Sequence, residues 1–187
     1  MYSKSILLLL TTTVVLVSSG IGRCPTKFST LKINWNLMHG DWHEYASYGD
    51  GTTRLCYKCM KYSISSQEGS LTVNRYYRLK LFNVDGSSLY TVKPLNNSNF
   101  MLEGKGGTRS ISMWLLGGDY YNYLILWSCE EHFFGMYHTE SSWILTEYRT
   151  ETLTDKMEKD IKSVLNRENI DLSWYGSVTQ NSCDQNH

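Results

Sequence analysis

From residue 42 to residue 146 the chain never holds one apolar pattern for long: short aliphatic and aromatic runs alternate with clusters of glycine, asparagine, aspartate and serine. That spacing predicts consecutive hairpins, because each polar cluster supplies turn residues and each apolar run is of strand length. Eight strands are expected, over 42–48, 56–64, 71–82, 88–95, 100–104, 109–116, 120–128 and 134–146. The clusters Gln67-Glu68-Gly69, Asp85-Gly86-Ser87, Gly106-Gly107 and Gly117-Gly118-Asp119 read as turns, each with glycine available for positive φ. The period then changes once. Leu153, Met157, Ile161, Val164 and Leu165 recur at helical spacing, with Asp155, Lys156, Glu158, Lys159, Asp160 and Lys162 on the opposite face. Thr154 is placed to cap this helix, which ends near 167–169 before an extended tail over 170–183. The expected fold is all-β: an eight-stranded antiparallel up-and-down barrel with one C-terminal α-helix packed outside. Such a barrel is filled by side chains or holds one small ligand.

The first twenty residues belong to a different unit. A lysine at position 4 precedes an apolar run over 6–17, broken only by three threonines, and Ser18-Ser19-Gly20 follows. This is the pattern of a secretory signal peptide over 1–20, too short to span a bilayer, with cleavage after Gly20 and one mature domain over 21–187. The protein is therefore expected to be secreted and extracellular, and Asn96-Asn97-Ser98 is a glycosylation sequon there. Eighteen lysines and arginines equal 18 aspartates and glutamates, so no net field draws the chain to nucleic acid. Fourteen tyrosines and 6 tryptophans against 2 prolines suit half-buried strands. Cys24, Cys56, Cys59, Cys129 and Cys183 fall in the secreted part, where disulfides are favoured over metal thiolates. An odd count leaves one thiol over. Cys56-Tyr57-Lys58-Cys59 has CxxC spacing, but no second pair completes a metal site, and none is expected.

Three stretches resemble the lipocalin family, closest to its apolipoprotein D and insect bilin-binding branch. Gly40-Asp41-Trp42 is similar to the GxW motif of the first strand. Gly118-Asp119-Tyr120 followed by 121–129 is similar to the TDY motif and the strand that ends in Ser-Cys. His138 through Leu145, with Arg149 before the helix, is similar to the strand that carries the family arginine. The resemblance implies that Arg149 packs over Trp42 and closes the barrel floor, although direct count puts Glu147 at that position. It also implies a Cys24–Cys129 bridge, whose loop of about 100 residues is worth up to about 4–5 kcal/mol. A second bridge would join Cys183 to the second strand. Both Cys56 and Cys59 are open as its partner, and strand parity favours Cys59.

The function so implied is binding and transport of a small hydrophobic ligand such as a fatty acid, sterol or retinoid, with a bilin as the alternative. The chain is read as a carrier, not an enzyme. Burying about 300 Å² of ligand at about 25 cal/mol per Å² gives about 7 kcal/mol before association costs, compatible with micromolar binding. Trp143 matches a pocket position of apolipoprotein D, and alternation adds Tyr62, Tyr90, Tyr123, Ile125 and Trp127. Two other readings fit the residues less well. His39, His43, His132 and His138 invite haem, but rim or loop histidines are the plainer account. A thiol-dependent isomerase lacks a base beside Cys56 or Cys59. A cell-surface receptor and a homodimer through the odd cysteine are the partners such a carrier would admit.

Overall fold

The structure, a computed structural model, describes residues 19–29, 31–49, 55–67 and 69–183. The apolar run of the expected signal peptide lies outside the described residues, as does Glu68. In chain order the elements are β1 (Ser19–Ile21), α1 (Trp35–Met38), β2 (Gly40–Tyr48), β3 (Tyr57–Gln67), β4 (Ser70–Leu79), β5 (Val84–Pro94), β6 (Asn99–Gly104), β7 (Ile111–Gly118), β8 (Tyr123–His132), β9 (Tyr137–Thr146), α2 (Asp155–Arg167) and β10 (Gly176–Ser177). Strands β2 through β9 pair in sequence order, all antiparallel, and β9 pairs back onto β2, so the sheet closes. The expected eight-stranded barrel is thus present. Two short strands lengthen its edges, β1 on β9 and β10 on β2.

Connectivity gives the barrel two unlike ends. The hairpins β3–β4, β5–β6 and β7–β8 turn at the end where α1 enters, and the connections 80–83, 105–110 and 133–136 lie at the other, open end. Two expected turns move: Gly117 and Gly118 are paired residues at the end of β7, so the chain turns there over 119–122, and a second turn shifts further. Asp85-Gly86-Ser87 lies inside β5, and the chain turns earlier, over 80–83, where Asn83 takes φ 52°. Gly86 stands opposite Tyr77, and a Cβ there would come within 2.5 Å of the tyrosine ring, so this glycine makes room for an aromatic side chain.

The helix forms where its periodicity puts it. Thr154 accepts a hydrogen bond from the Met157 N–H, Asp155 and Glu158 occupy the positive end of the dipole, and Arg167 the negative end. Asn169 follows the last turn with φ 55°, the left-handed residue that commonly ends a helix. Ile161 and Leu165 bury against Ile125, Ile144 and Leu116 on the barrel's outer wall.

Two disulfides fasten the chain ends to this wall, Cys24–Cys129 and Cys59–Cys183, and Cys56 is free and exposed. Cys59 reaches the tail through a bulge. Between the pairs Lys58–Arg78 and Lys61–Tyr76, β3 advances three residues against two on β4, and Cys59 takes φ 57° within the extra turn of backbone. Arg149 does not close the floor as expected. Its guanidinium bonds His43 Nδ1 at 3.4 Å and the Cys183 carbonyl at 2.8 Å, on the face of β2 opposite Trp42, because the tail pinned by Cys183 offers it a backbone acceptor there.

Burial, and then the Arg149 charge, push His43 down to about 4 from 6.5. Between those pH values the unfolded chain holds a proton that the folded chain lacks, so stability falls as pH drops from 6.5 towards 4. Thermal scans from pH 7 to 4 should show this loss of Tm, and His43→Gln should lessen it by about 2–4 °C. Intact mass without reductant should show two bridges, with one alkylated thiol mapping to Cys56; a label on Cys59 or Cys183 would contradict the pairing.

Candidate ligand-binding site

Strands β8 and β9 are apolar on both faces over 123–127 and 143–145, and this decides which side chains there point into the barrel. Leu126 pairs with Trp143 and Leu124 with Leu145, and these four point into the barrel with Leu115, Met113, Tyr90 and Val92. The alternate residues Tyr123, Ile125 and Trp127 point outward into the cluster that α2 covers. The expectation that these three line the lumen is therefore corrected. Trp127 donates its indole N–H to Glu140 at 2.9 Å, and the Lys27 ammonium lies 5.4 Å from its ring centroid. Burial raises the Tyr123 hydroxyl to about 12, with Asp160 and Asp119 adding to the shift. Trp143, Tyr62 and Tyr90 do face inward.

Trp42 forms the floor. Its indole N–H donates to the Met38 carbonyl at 2.9 Å, so the single turn of α1 seals the barrel from below, and Trp35 meets Phe100 edge-on at 5.1 Å. Gly40, with φ 118°, turns the chain from α1 into β2 in a conformation that favours glycine. The other motif residues fix the lead from outside. Asp119 Oδ1 accepts the N–H groups of Tyr121, Asn122 and Tyr123. Burial alone would raise the Asp119 carboxyl, but these bonds and the Asn122 side chain hold it below its ordinary value. Tyr120 donates its hydroxyl to the Lys32 carbonyl and accepts from Asn34 N–H at 2.9 Å, which locks the lead beneath the barrel.

Above the floor the lumen holds a buried polar group that sequence reasoning missed. Glu44 is fully buried and accepts the Tyr62 hydroxyl at 2.8 Å. Arg75 stands opposite Tyr62 on β4. Burial, then the Glu44 charge, drives the Tyr62 hydroxyl well above its ordinary value. Burial pulls the Arg75 guanidinium down, and Tyr62, Glu44 and Tyr90 more than offset it. The available signal was parity, since Glu44 lies two residues after Trp42 and so shares its inward face.

The cavity itself opens higher, beside a break in the sheet. The β7–β8 ladder ends at Trp114–Trp127, while β8 and β9 stay paired up to His132–Tyr137. A cavity of about 790 Å³ sits in this gap. It touches the consecutive residues Ser110, Ile111 and Ser112 on one side and Ser128, Cys129 and Glu130 on the other. Consecutive strand residues point to opposite faces, so a cavity touching three in a row sees strand edges as well as the inner wall. Trp143, Tyr137, Ser141, Thr139 and His132 of β8 and β9 complete it together with Arg109, Gly49 and Ser19, the last within the expected signal peptide. His132 Nε2 lies 3.0 Å from the Thr139 hydroxyl, its ring stacks on Tyr137 at 4.8 Å, and Arg109 pairs with Glu130 across the gap. Apolar Trp143 and Ile111 at one side and hydroxyls and charges at the other suit an amphiphile. Among the described residues no cluster of three His, Cys, Asp or Glu side chains is placed to hold a metal ion.

The closed eight-stranded barrel, the tryptophan floor and the single outer helix define a lipocalin fold. No protein-family model matches the chain. The Lazarillo protein of Schistocerca americana is 26% identical to it, over 85% of this chain and 75% of its own length. Insecticyanin from the tobacco hornworm Manduca sexta superposes with a TM-score of 0.74 over 90% of both chains at 20% identity. The tryptamine complex of the amine-binding protein of Rhodnius prolixus superposes with a TM-score of 0.67 at 15% identity, over 87% of this chain and 90% of its own.

The buried polar group can be tested by stability. Tyr62→Phe removes one hydrogen bond to a buried carboxylate and should cost about 1–3 kcal/mol. Arg75→Met leaves Glu44 without the nearby positive charge and should cost about 3–5 kcal/mol. Urea unfolding of the two variants measures both, and equal losses would deny Arg75 its place in the cluster.

Proposed function

We propose that the chain is a secreted lipocalin that binds and carries a small hydrophobic molecule bearing a polar end group. The observation that carries this reading is the cavity of about 790 Å³ with Trp143 and Ile111 beside hydroxyls and an Arg109–Glu130 pair. Its volume is in the range of small-molecule pockets. A fatty acid, sterol or retinoid places its apolar body against Trp143 and Ile111, and its carboxyl or hydroxyl among Ser128, Ser141 and Arg109. A bilin is the second reading. Its carboxylates and ring N–H groups suit the same mixed lining, and the polar share of that lining favours it over a bare hydrocarbon.

The protein acts as a carrier in this reading, without catalysis. The free thiol Cys56 is exposed, and it does not line the cavity. Removal of a signal peptide over 1–20 shortens β1 to Ile21, and an exposed Asn96 takes the glycan. Asn96 Oδ1 accepts from the Ser98 and Asn99 N–H groups, which leaves its amide nitrogen available. A homodimer joined through Cys56 fits that exposure.

Tryptophan quenching decides the cargo. Purified protein should quench with a fatty-acid or retinoid probe at micromolar concentration, or show visible absorption with biliverdin, and tryptamine tests the amine class. Trp143→Ala should weaken the probe that binds by about tenfold, whereas Trp127→Phe, on the outer wall, should leave affinity unchanged. Failure of every probe, or equal affinity in Trp143→Ala, would overturn the reading.

A further inference from the structure

The open end of the barrel carries an apolar rim that the cavity does not explain. Leu81 and Phe82, in the β4–β5 connection, are 84% and 70% exposed. Phe133 and Phe134, in the β8–β9 connection, are 69% and fully exposed. With the strands paired in sequence order, these two connections lie on opposite sides of the mouth. Met136 and Ile21 extend the second patch, at 73% and 97% exposure.

The backbone presents these side chains outward. Phe133 and Phe134 take φ 48° and 58°, a left-handed pair that bulky residues rarely adopt. Folding free energy is thereby given up to hold two phenylalanines in water, which is the pattern of a functional contact and not of a core. Cations accompany the tips: Lys80 precedes Leu81, the Arg23 side chain lies along Gly135, and Lys105 is exposed in the third connection at this end. Among the described residues at this end, Asp85 pairs with Arg78 and Glu130 with Arg109, while Glu131 accepts the Cys24 N–H and lies, like Arg23, beside Gly135. The five cations named, Arg23, Arg78, Lys80, Lys105 and Arg109, outnumber these three acids, so the described part of the rim carries a positive excess.

We propose that this rim docks the barrel, mouth down, on an anionic lipid surface. Apolar tips on opposite sides of a polar opening are a poor match for one compact protein epitope. A bilayer meets them all, taking the phenylalanine and leucine side chains below its headgroups and setting phosphates against Arg23, Lys80 and Lys105. The lumen then faces the phase that holds hydrophobic cargo. This contact depends on the rim alone and survives even where the proposed cargo is wrong.

Flotation with vesicles tests it. The full secreted chain should float with phosphatidylcholine–phosphatidylserine vesicles, bind several-fold less to phosphatidylcholine alone, and lose binding as salt rises. The quadruple variant Leu81→Ser, Phe82→Ser, Phe133→Ser, Phe134→Ser should lower the bound fraction about tenfold. Its near-ultraviolet circular dichroism and its binding of the cargo probe in solution should be unchanged, which separates failure of docking from failure of the carrier reading. Phe28→Ser, exposed away from the rim beside Glu168, should float like the parent protein. Absence of flotation with either vesicle, or parental flotation of the quadruple variant, would overturn the proposal. So would a dimer in solution that the same substitutions split without any vesicle binding, since the rim would then belong to a second copy.

Discussion

A closed barrel is stable only if the backbone edges of its strands are paired along their length, and here several ladders end below the open end. On β9 the pairing with β2 stops at Ser142; in the full chain β1 pairs with Tyr137 to Thr139 above that point, and cleavage after Gly20 would leave only Ile21 on Tyr137. On β2 the pairing with β3 stops at His43–Lys61, and β10 covers Ala46 and Ser47. Gln180 completes this second seam, donating to the carbonyls of Glu44 at 2.9 Å and Met60 at 3.1 Å, where bulges in β2 and β3 leave them turned outward. Between β7 and β8 the cavity occupies the gap. The cavity lies where the β7–β8 ladder has ended and no described strand covers the edges.

The disulfides belong to the same logic. Cys24 follows β1 by three residues, and its bond to Cys129 anchors the segment that covers β9. Cys183 follows Gln180 and fixes the tail over the bulges. Loops of 105 and 124 residues are closed by these bonds, each worth about 4–5 kcal/mol on a chain-entropy account. Glu168 adds a non-covalent tie. It accepts the Phe28 N–H at 3.0 Å and the Arg167 side chain at 2.9 Å, holding the lead to the end of α2. Chain ends that would otherwise fray become part of the wall.

What was legible in the sequence follows physical lines. Strand number, the helix and its Thr154 cap depend on local periodicity, whereas the cysteine pairings were implied by the family resemblance, which left Cys56 and Cys59 both open as the partner that the structure gives as Cys59. The inward face of β8 was not legible. Tyr123-Leu124-Ile125-Leu126-Trp127 is apolar at every position, since α2 covers one side and the lumen the other, so alternation carries no sign. A single register pair, Leu126 with Trp143, would have set it. Arg149 failed for another reason: its partner is a backbone carbonyl of Cys183, and contacts between distant segments leave no trace in spacing. The turn at Asp85-Gly86-Ser87 failed because glycine serves two ends, positive φ in a turn and, here, space for Tyr77.

The interior also limits what the cavity can hold. Trp42, Phe100, Leu115, Leu124 and Leu145 are packed into the lower barrel, and Glu44 with Arg75 and Tyr62 lies buried above them. Displacing the aliphatic layer would expose apolar surface, and entering the polar one would strip a charged group of its partners, the more costly of the two. A ligand is therefore confined to the upper half, between Trp143 and the gap at Arg109–Glu130, with one end towards the rim. An elongated apolar molecule seated there cannot be covered by this barrel alone, and the part that protrudes must meet either water or the surface against which the open end rests.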